Sequence, residues 1–390
     1  MKLGFKLRKL EISTEYIIRR LLNILNYLIW FVFDPRKFVA INKKKIKNLF
    51  VFDCSGIGDI VNTIGIIGAF KEKYPHVKVY FITKKSGLKI AKGNPALEKC
   101  TSDAEKNLWN TRVDAAIIIT ADEKNEKFIK RKTKRIVYIQ PGSIDANIRF
   151  YNFYGIRRKF PRYYHLILRR FHCFELLGFK VPYKLRFYSS ASDKATALKL
   201  YKKINPKKKR VVIICPGAAK ADKAMKENLF SACSWPYEMW AELSDNLIEK
   251  YKCLILITGI ESDEVHAKEI IARCKNKASI KSICGKTDVR EFGEFAKLCD
   301  LVISVDTGTV HIATQVGTPV IDLMGAYPAR LYCAWAPSKD LESSKAISIF
   351  HPEVCSGCRK YYCPEENNIC MKAISVDEVF EIAEGLIKRR

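Results

Sequence analysis

The chain has 390 residues, 48% apolar and 28% charged, close to globular averages; this excludes wholesale disorder and collagen-like structure and suits two domains of ordinary size. No uncharged apolar run reaches about eighteen residues, so a bundle of membrane-spanning helices is excluded as well. The net charge of +28 is lopsided: residues 1–210 hold 47 Lys/Arg against 16 Asp/Glu, and residues 211–390 hold 22 against 25.

A basic half of this kind concentrates anionic partners, whether a membrane surface, a phosphorylated acceptor or nucleic acid. The segment 16–33 places its apolar residues on one side of a helix and Arg19, Arg20, Asn23, Asn26, Tyr27 and Trp30 on the other. Its uncharged part, Leu21–Phe33, falls short of the roughly 20 residues a spanning helix needs. Residues 1–46 are therefore expected to form a basic amphipathic segment lying on an anionic leaflet. Packing on the protein's own surface is the competing reading. Fourteen cysteines are present, yet Cys215 and Cys253 stand in apolar runs as small buried hydrophobes. With no evident cleavable signal, the expected compartment is the reducing cytoplasm, at the inner face of the cell membrane.

From residue 47, strand-like apolar runs alternate with helical patterns. NLFVFD (48–53), VKVYFI (77–82), AAIIIT (115–120) and RIVYIQ (135–140) come first. VVIICP (211–216), CLILIT (253–258), IKSIC (280–284), LVISVD (301–306) and PVIDLM (319–324) follow. Continuous apolarity implies burial on both faces, as in parallel sheets covered by helices. The pattern predicts two doubly wound α/β domains, 47–205 and 206–390, divided near the basic run NPKKKR (205–210). Their strand-end crevices would face one another.

Three stretches carry chemistry. In VFDCSGIGDIVNT (51–63) a strand ends, Gly56 and Gly58 permit a tight turn, and a helix is expected to begin near Asp59. Spacing favours Asp59 as an N-cap; at a cleft mouth the same carboxylate can serve as general base. In VVIICPGAAKADK (211–223), Pro216-Gly217 closes a strand, and Lys220 and Lys223 overhang the crevice, where a lysine balances charge on a departing diphosphate. In LVISVDTGTVHIA (301–313), Asp306, Thr307, Gly308 and Thr309 turn into a helix whose N–H groups suit phosphate oxygens, with His311 as a further donor. The stretch 149–171 interleaves basic and aromatic residues, including Arg157 and Arg158, as a surface for an acidic glycan. Its alternatives are nucleic-acid binding and a plain amphipathic helix with Leu166, Ile167 and Phe171 in the core. Cys355, Cys358, Cys363 and Cys370 are spaced closely enough to hold a structural zinc ion.

From residue 47 to the C-terminus, these motifs together resemble glycosyltransferase family 9, the lipopolysaccharide heptosyltransferases. The marks are Gly58-Asp59, the PGA…K…WP stretch, DTGTVHIA and the terminal cysteine block. The resemblance implies a GT-B architecture and inverting transfer of heptose from ADP-heptose to a lipopolysaccharide core or related acidic glycolipid, with no cofactor needed for catalysis. It implies Asp59 as catalytic base and Lys223 beside the donor phosphates. Gly217, Glu264, Asp306, Thr307, Gly308, Thr309 and His311 would line the donor pocket, with Glu264 toward the ribose. Gly56, Gly58, Arg157 and Arg158 would face the acceptor. Family members run the lysine directly into Trp-Pro; here Ala224–Ser234 intervene before Trp235, which makes Lys226 a second candidate. The expected partners are the nucleotide sugar, a lipid-linked or phosphorylated glycan and an anionic membrane, not nucleic acid. A nucleotide-sugar epimerase of GT-B type and a non-catalytic basic nucleotide-binding protein are the alternatives.

Overall fold

The structure, a computed structural model, describes residues 45–133, 135–138, 165–217, 233–327, 329–335, 345–354, 363 and 367–388. The expected membrane-associating helix, Arg157, Arg158, Lys220, Lys223, Lys226, Cys355 and Cys358 lie outside the described residues.

Five strands form the first sheet: β1 (Asn48–Asp53), β2 (Lys78–Ile82), β3 (Lys99–Thr101), β4 (Ala115–Thr120) and β5 (Ile136–Tyr138). Their order is β3-β2-β1-β4-β5, all parallel. Between them run α1 (Ile57–Lys73), α2 (Lys85–Ala91), α3 (Ala104–Leu108) and α4 (Glu123–Lys132). Strand β1 shows why its middle, Leu49–Phe52, is continuously apolar. Leu49 and Val51 enter one core, Phe50 and Phe52 the other, so both faces are covered.

Helices α5 (Leu166–Leu176) and α6 (Ala191–Ile204) lead to the second sheet. It comprises β6 (Val211–Cys215), β7 (Leu254–Ile257), β8 (Ile280–Ser282), β9 (Leu301–Val305), β10 (Val320–Leu323) and β11 (Ala346–Ile349), in the parallel order β11-β10-β9-β6-β7-β8. This is the dinucleotide-type winding, with the order reversing beside β6. Its helices are α7 (Tyr237–Tyr251), α8 (Glu264–Arg273), α9 (Val289–Ala296), α10 (Gly308–Val316), α11 (Ala329–Tyr332), α12 (Ile369–Lys372) and α13 (Val376–Lys388). The chain thus has the GT-B architecture of two Rossmann-like domains. Among the described residues, no helix is long and apolar enough to cross a membrane.

One apolar layer joins the two halves: Ile60, Ile64 and Ile67 of α1 and Phe171 of α5 belong to the same core as Val310 and Ala313 of α10. Helix α6 packs against α9 across this layer, with Asp193 3.4 Å from Arg290. Trp235 is a core anchor: its indole N–H donates to Ile374 O at 3.0 Å, and its ring meets Trp240 edge to face. Of the two strands that spacing did not predict, β3 is three residues long and β11 is four; both lie at sheet edges, where apolar continuity is not required.

Candidate active site

Parallel sheets open their crevices at the carboxyl ends of their strands, and there the two halves of the chain meet. Strand β1 exits through Cys54–Gly56 into α1, and β9 exits through Asp306-Thr307 into α10. The two helix starts touch. A Cβ on Gly58 would fall 2.6 Å from Cδ2 of His311 and 3.2 Å from Cα of Gly308. One turn deeper, Gln315 Nε2 donates to Asn62 Oδ1 at 3.1 Å. Asp59 and the bend 307–309 therefore open on one place.

The helix α1 begins two residues before Asp59, and its N-cap is Gly56, so the expected N-cap role of Asp59 is not what the fold uses. Asp59 is instead the third helical residue, and its carboxylate is engaged across the fold: Arg170 of α5 donates Nη2–H to Asp59 Oδ1 at 2.6 Å. Behind this pair, Asp53 closes β1, fully buried. Its Oδ2 accepts from Thr63 Oγ1 at 2.6 Å, and its Oδ1 accepts from Ser55 N–H at 3.0 Å, from the Ser55 hydroxyl and from Thr120 Oγ1 at 3.2 Å. Sequence reasoning missed both Asp53 and Arg170. The available signal was a pair of arginines inside the apolar helical run LILRRFHCFEL.

Neither α1 nor α10 carries a side-chain cap at its N-terminus. The hydroxyls of the second turn look inward instead: Thr307 Oγ1 lies 3.2 Å from Ser304 Oγ, and Thr309 Oγ1 lies 3.3 Å from Cys215 Sγ. The first N–H groups of α10 are left uncapped by side chains, the feature that suits a helix start to anions. His311 stands in the first turn of α10. Burial pushes its imidazole pKa down, Asp306 and Asp59 pull it up by less, and Arg170 adds to the lowering. Its Nδ1 is buried and has no hydrogen-bond partner among the described residues. A neutral ring is thus poised between the two turns.

Asp322 of β10 lies beneath the Asp306 turn, paired in register with Ser304 and fully buried. Burial, reinforced by the charge of Asp306, raises its carboxyl well above the ordinary range. Its Oδ2 accepts from Ala334 N–H at 3.1 Å and from Ser348 Oγ at 3.0 Å.

Gly217 lies two residues beyond β6, where a Cβ would fall 2.4 Å from Asp263 Oδ1, so the glycine admits a buried carboxylate that itself accepts from Ile260 N–H at 2.7 Å. Glu264, expected toward the ribose, accepts from Ser282 Oγ at 2.5 Å and is tied to the end of β8. Glu261, in the turn just before it, is exposed, and among the described residues it has no hydrogen-bonded or ion-paired side-chain partner. Of the expected zinc set, Cys363 packs with Cys233 and Ala326, whereas Cys370 belongs to the core of the second sheet. Among the described residues, no group of three or more metal-binding side chains comes together.

The fold has known counterparts. A family 9 glycosyl transferase from Veillonella parvula superposes with a TM-score of 0.67 at 14% identity, over 90% of this chain and 99% of that one. Escherichia coli ADP-heptose lps heptosyltransferase II superposes at 0.64 with 16% identity, over 88% and 99%. In sequence, the Campylobacter jejuni lipooligosaccharide heptosyltransferase 2 is 23% identical over 210 residues, which are 54% of this chain and 57% of that protein. The match spans little more than half the length of that relative. The pattern of glycosyltransferase family 9 (heptosyltransferase) itself matches residues 129–368, more than half of the sequence, and the chain belongs to that family.

Proposed function

We infer that the protein is an inverting glycosyltransferase that moves a sugar, heptose from ADP-heptose, onto a hydroxyl of a lipopolysaccharide core or related acidic glycolipid, without a metal ion. The observation that carries this reading is the meeting of Asp59 with the uncapped start of α10: one turn offers a proton acceptor, the other a seat for phosphate. Membership of the heptosyltransferase family and the name of the Escherichia coli structure support the donor. The basic first half supports an acidic acceptor and an anionic membrane surface.

In this mechanism Asp59 takes the proton of the acceptor hydroxyl as its oxygen attacks the anomeric carbon from the face opposite the diphosphate. The bond from that carbon to the diphosphate breaks, and the electron pair leaves on the nucleoside diphosphate. The N–H groups at the start of α10 and Lys223 stabilise the departing charge, preorganised donors of this sort being worth roughly 3 kcal/mol each.

The deciding experiment is Asp59→Asn. The variant is expected to fold, to keep a melting shift with ADP larger than with UDP, GDP or CMP, and to lose roughly 10²–10⁴-fold in turnover with ADP-heptose. Wild-type turnover in Asp59→Asn would remove the base. A melting shift selective for UDP would move the donor to another nucleotide sugar, and loss of turnover in EDTA would end the metal-free reading.

A further inference from the structure

Asp59 is held by a side chain 111 residues away that no local pattern connects to it. Arg170 is 4% exposed, and a guanidinium so deeply buried must be paired and hydrogen-bonded. Its Nε donates to Thr63 Oγ1 at 3.1 Å, its Nη1 to Leu166 O at 3.3 Å and its Nη2 to Asp59 Oδ1 at 2.6 Å. The Asp53 carboxylate stands 3.9 Å from Nε and grips the same Thr63 hydroxyl. Burial opposes the charge, but Asp59 and then Asp53 outweigh it and keep the group protonated.

The two carboxylates on this guanidinium are not equivalent. Asp53 is sealed and accepts from Ser55, Thr63 and Thr120, so it has no part to play at the surface. The Asp59 side chain is 33% exposed, with one oxygen on Arg170 and the other, Oδ2, on the side of Gly56. Asp53, Thr63 and Leu166 fix the guanidinium without help from Asp59. The arginine is therefore a rigid peg, and Asp59 is the group it orients.

We propose that Arg170 is the positioning residue for the proton acceptor: it binds Oδ1 of Asp59 and so reserves Oδ2 for the proton of the acceptor hydroxyl. The inference rests on the transferase reading above. In the transfer step the O–H proton passes to Oδ2, the freed oxygen bonds to the anomeric carbon, and the diphosphate leaves with its electron pair. Arg170 gains and loses no proton. A reacting group must sit within about 0.5 Å and 10–20° of its productive geometry, and a charged bond to one oxygen of a short side chain provides that restraint.

The test uses the full chain with ADP-heptose as donor and heptose-deficient lipopolysaccharide as acceptor. Arg170→Met and Arg170→Lys are compared with Asp59→Asn. Both arginine variants are expected to lose roughly 10²-fold in kcat, the cost of about 1 Å of misplacement, with KM for ADP-heptose and the ADP melting shift unchanged. Arg170→Lys is the variant to read if Arg170→Met does not fold; its ammonium cannot bond Thr63 and Asp59 in the same fork. Added guanidinium at millimolar concentration is expected to restore part of the kcat of Arg170→Met, which a merely structural role would not allow. An inactive Asp59→Asn beside an Arg170→Lys within threefold of wild type overturns this inference alone; an active Asp59→Asn overturns the transferase reading beneath it. A crystal structure of Arg170→Lys with the Asp59 carboxylate unmoved also overturns the inference, independently of any turnover.

Discussion

Gly58→Ala separates the contact between the two helix starts from the stability of the protein. Gly58 lies inside α1 and is not among the residues of positive φ, so alanine fits the backbone and favours the helix by about 0.5–1 kcal/mol. The new methyl, however, would stand 2.6 Å from His311 Cδ2 and 3.2 Å from the Gly308 backbone. Carbon atoms rest at roughly 3.5–4.0 Å, so the imidazole must withdraw by about 1 Å and the start of α10 by a few tenths. Misplacement of about 1 Å costs around 10²-fold in rate. The expected result is a kcat down about 100-fold, a melting temperature lowered by only a few degrees because the helix gain offsets part of a crowding cost of about 1–3 kcal/mol, and an ADP melting shift that survives. Gly308→Ala is the internal control. Its methyl would meet nothing closer than 3.3 Å, and its loss is expected to be much smaller. Turnover is read as transfer of heptose from ADP-heptose to the truncated glycolipid. A Gly58→Ala enzyme within threefold of wild type, or one slowed no more than Gly308→Ala, would refute the argument that chemistry happens where these helices meet.

Two further outcomes follow from buried titrating groups. His165 caps α5 through Nδ1, which accepts from Ile167 N–H at 3.2 Å, while its Nε2–H donates to Cys333 O at 3.1 Å; burial brings its pKa down to about 4. Below the ordinary imidazole value of about 6.5 the unfolded chain binds this proton first, so stability is present above that value and falls as pH drops toward 4, by up to about 3 kcal/mol. Urea unfolding at pH 7 and pH 4.5 is expected to show a smaller loss in His165→Gln than in wild type; equal losses would contradict the assignment. Asp322 has the opposite sign: its carboxyl is raised, so its favourable contribution exists at low pH and is lost as pH rises through its folded value. Asp322→Asn is expected to raise the melting temperature more at pH 8 than at pH 4, and a pH-independent change would show that the residue is ionised in the fold.

The parts of this fold that are legible in the sequence are those governed by burial on two faces. Strands β1, β4 and β9 are readable because their central positions are apolar on both faces, and the exits of β1 and β9 into glycine-containing turns mark where a ligand would sit. Short edge strands such as β11 have no such requirement and pass as loops. At the site, Asp59 and Asp306 are legible from local motifs. The N-cap assigned to Asp59 by spacing fails because the helix begins earlier, at Ile57 behind Gly56, which leaves Asp59 inside the first turn. Arg170 itself is invisible because its four anchors come from β1, α1 and its own helix, and only folding brings them together. Glu264 stands in the expected stretch, but its bond from Ser282 across to β8 could not be read from the sequence.

The uncapped starts of α1 and α10 press against one another across the junction of the two lobes. Each is the positive end of a column of aligned peptide dipoles, equivalent to roughly half an elementary charge, so the junction brings like poles side by side. Such a joint is self-repelling when empty and cohesive when negative charge sits between the poles. The side chains of Asp59 and Asp306 flank His311 at that junction, and an incoming diphosphate adds negative charge there.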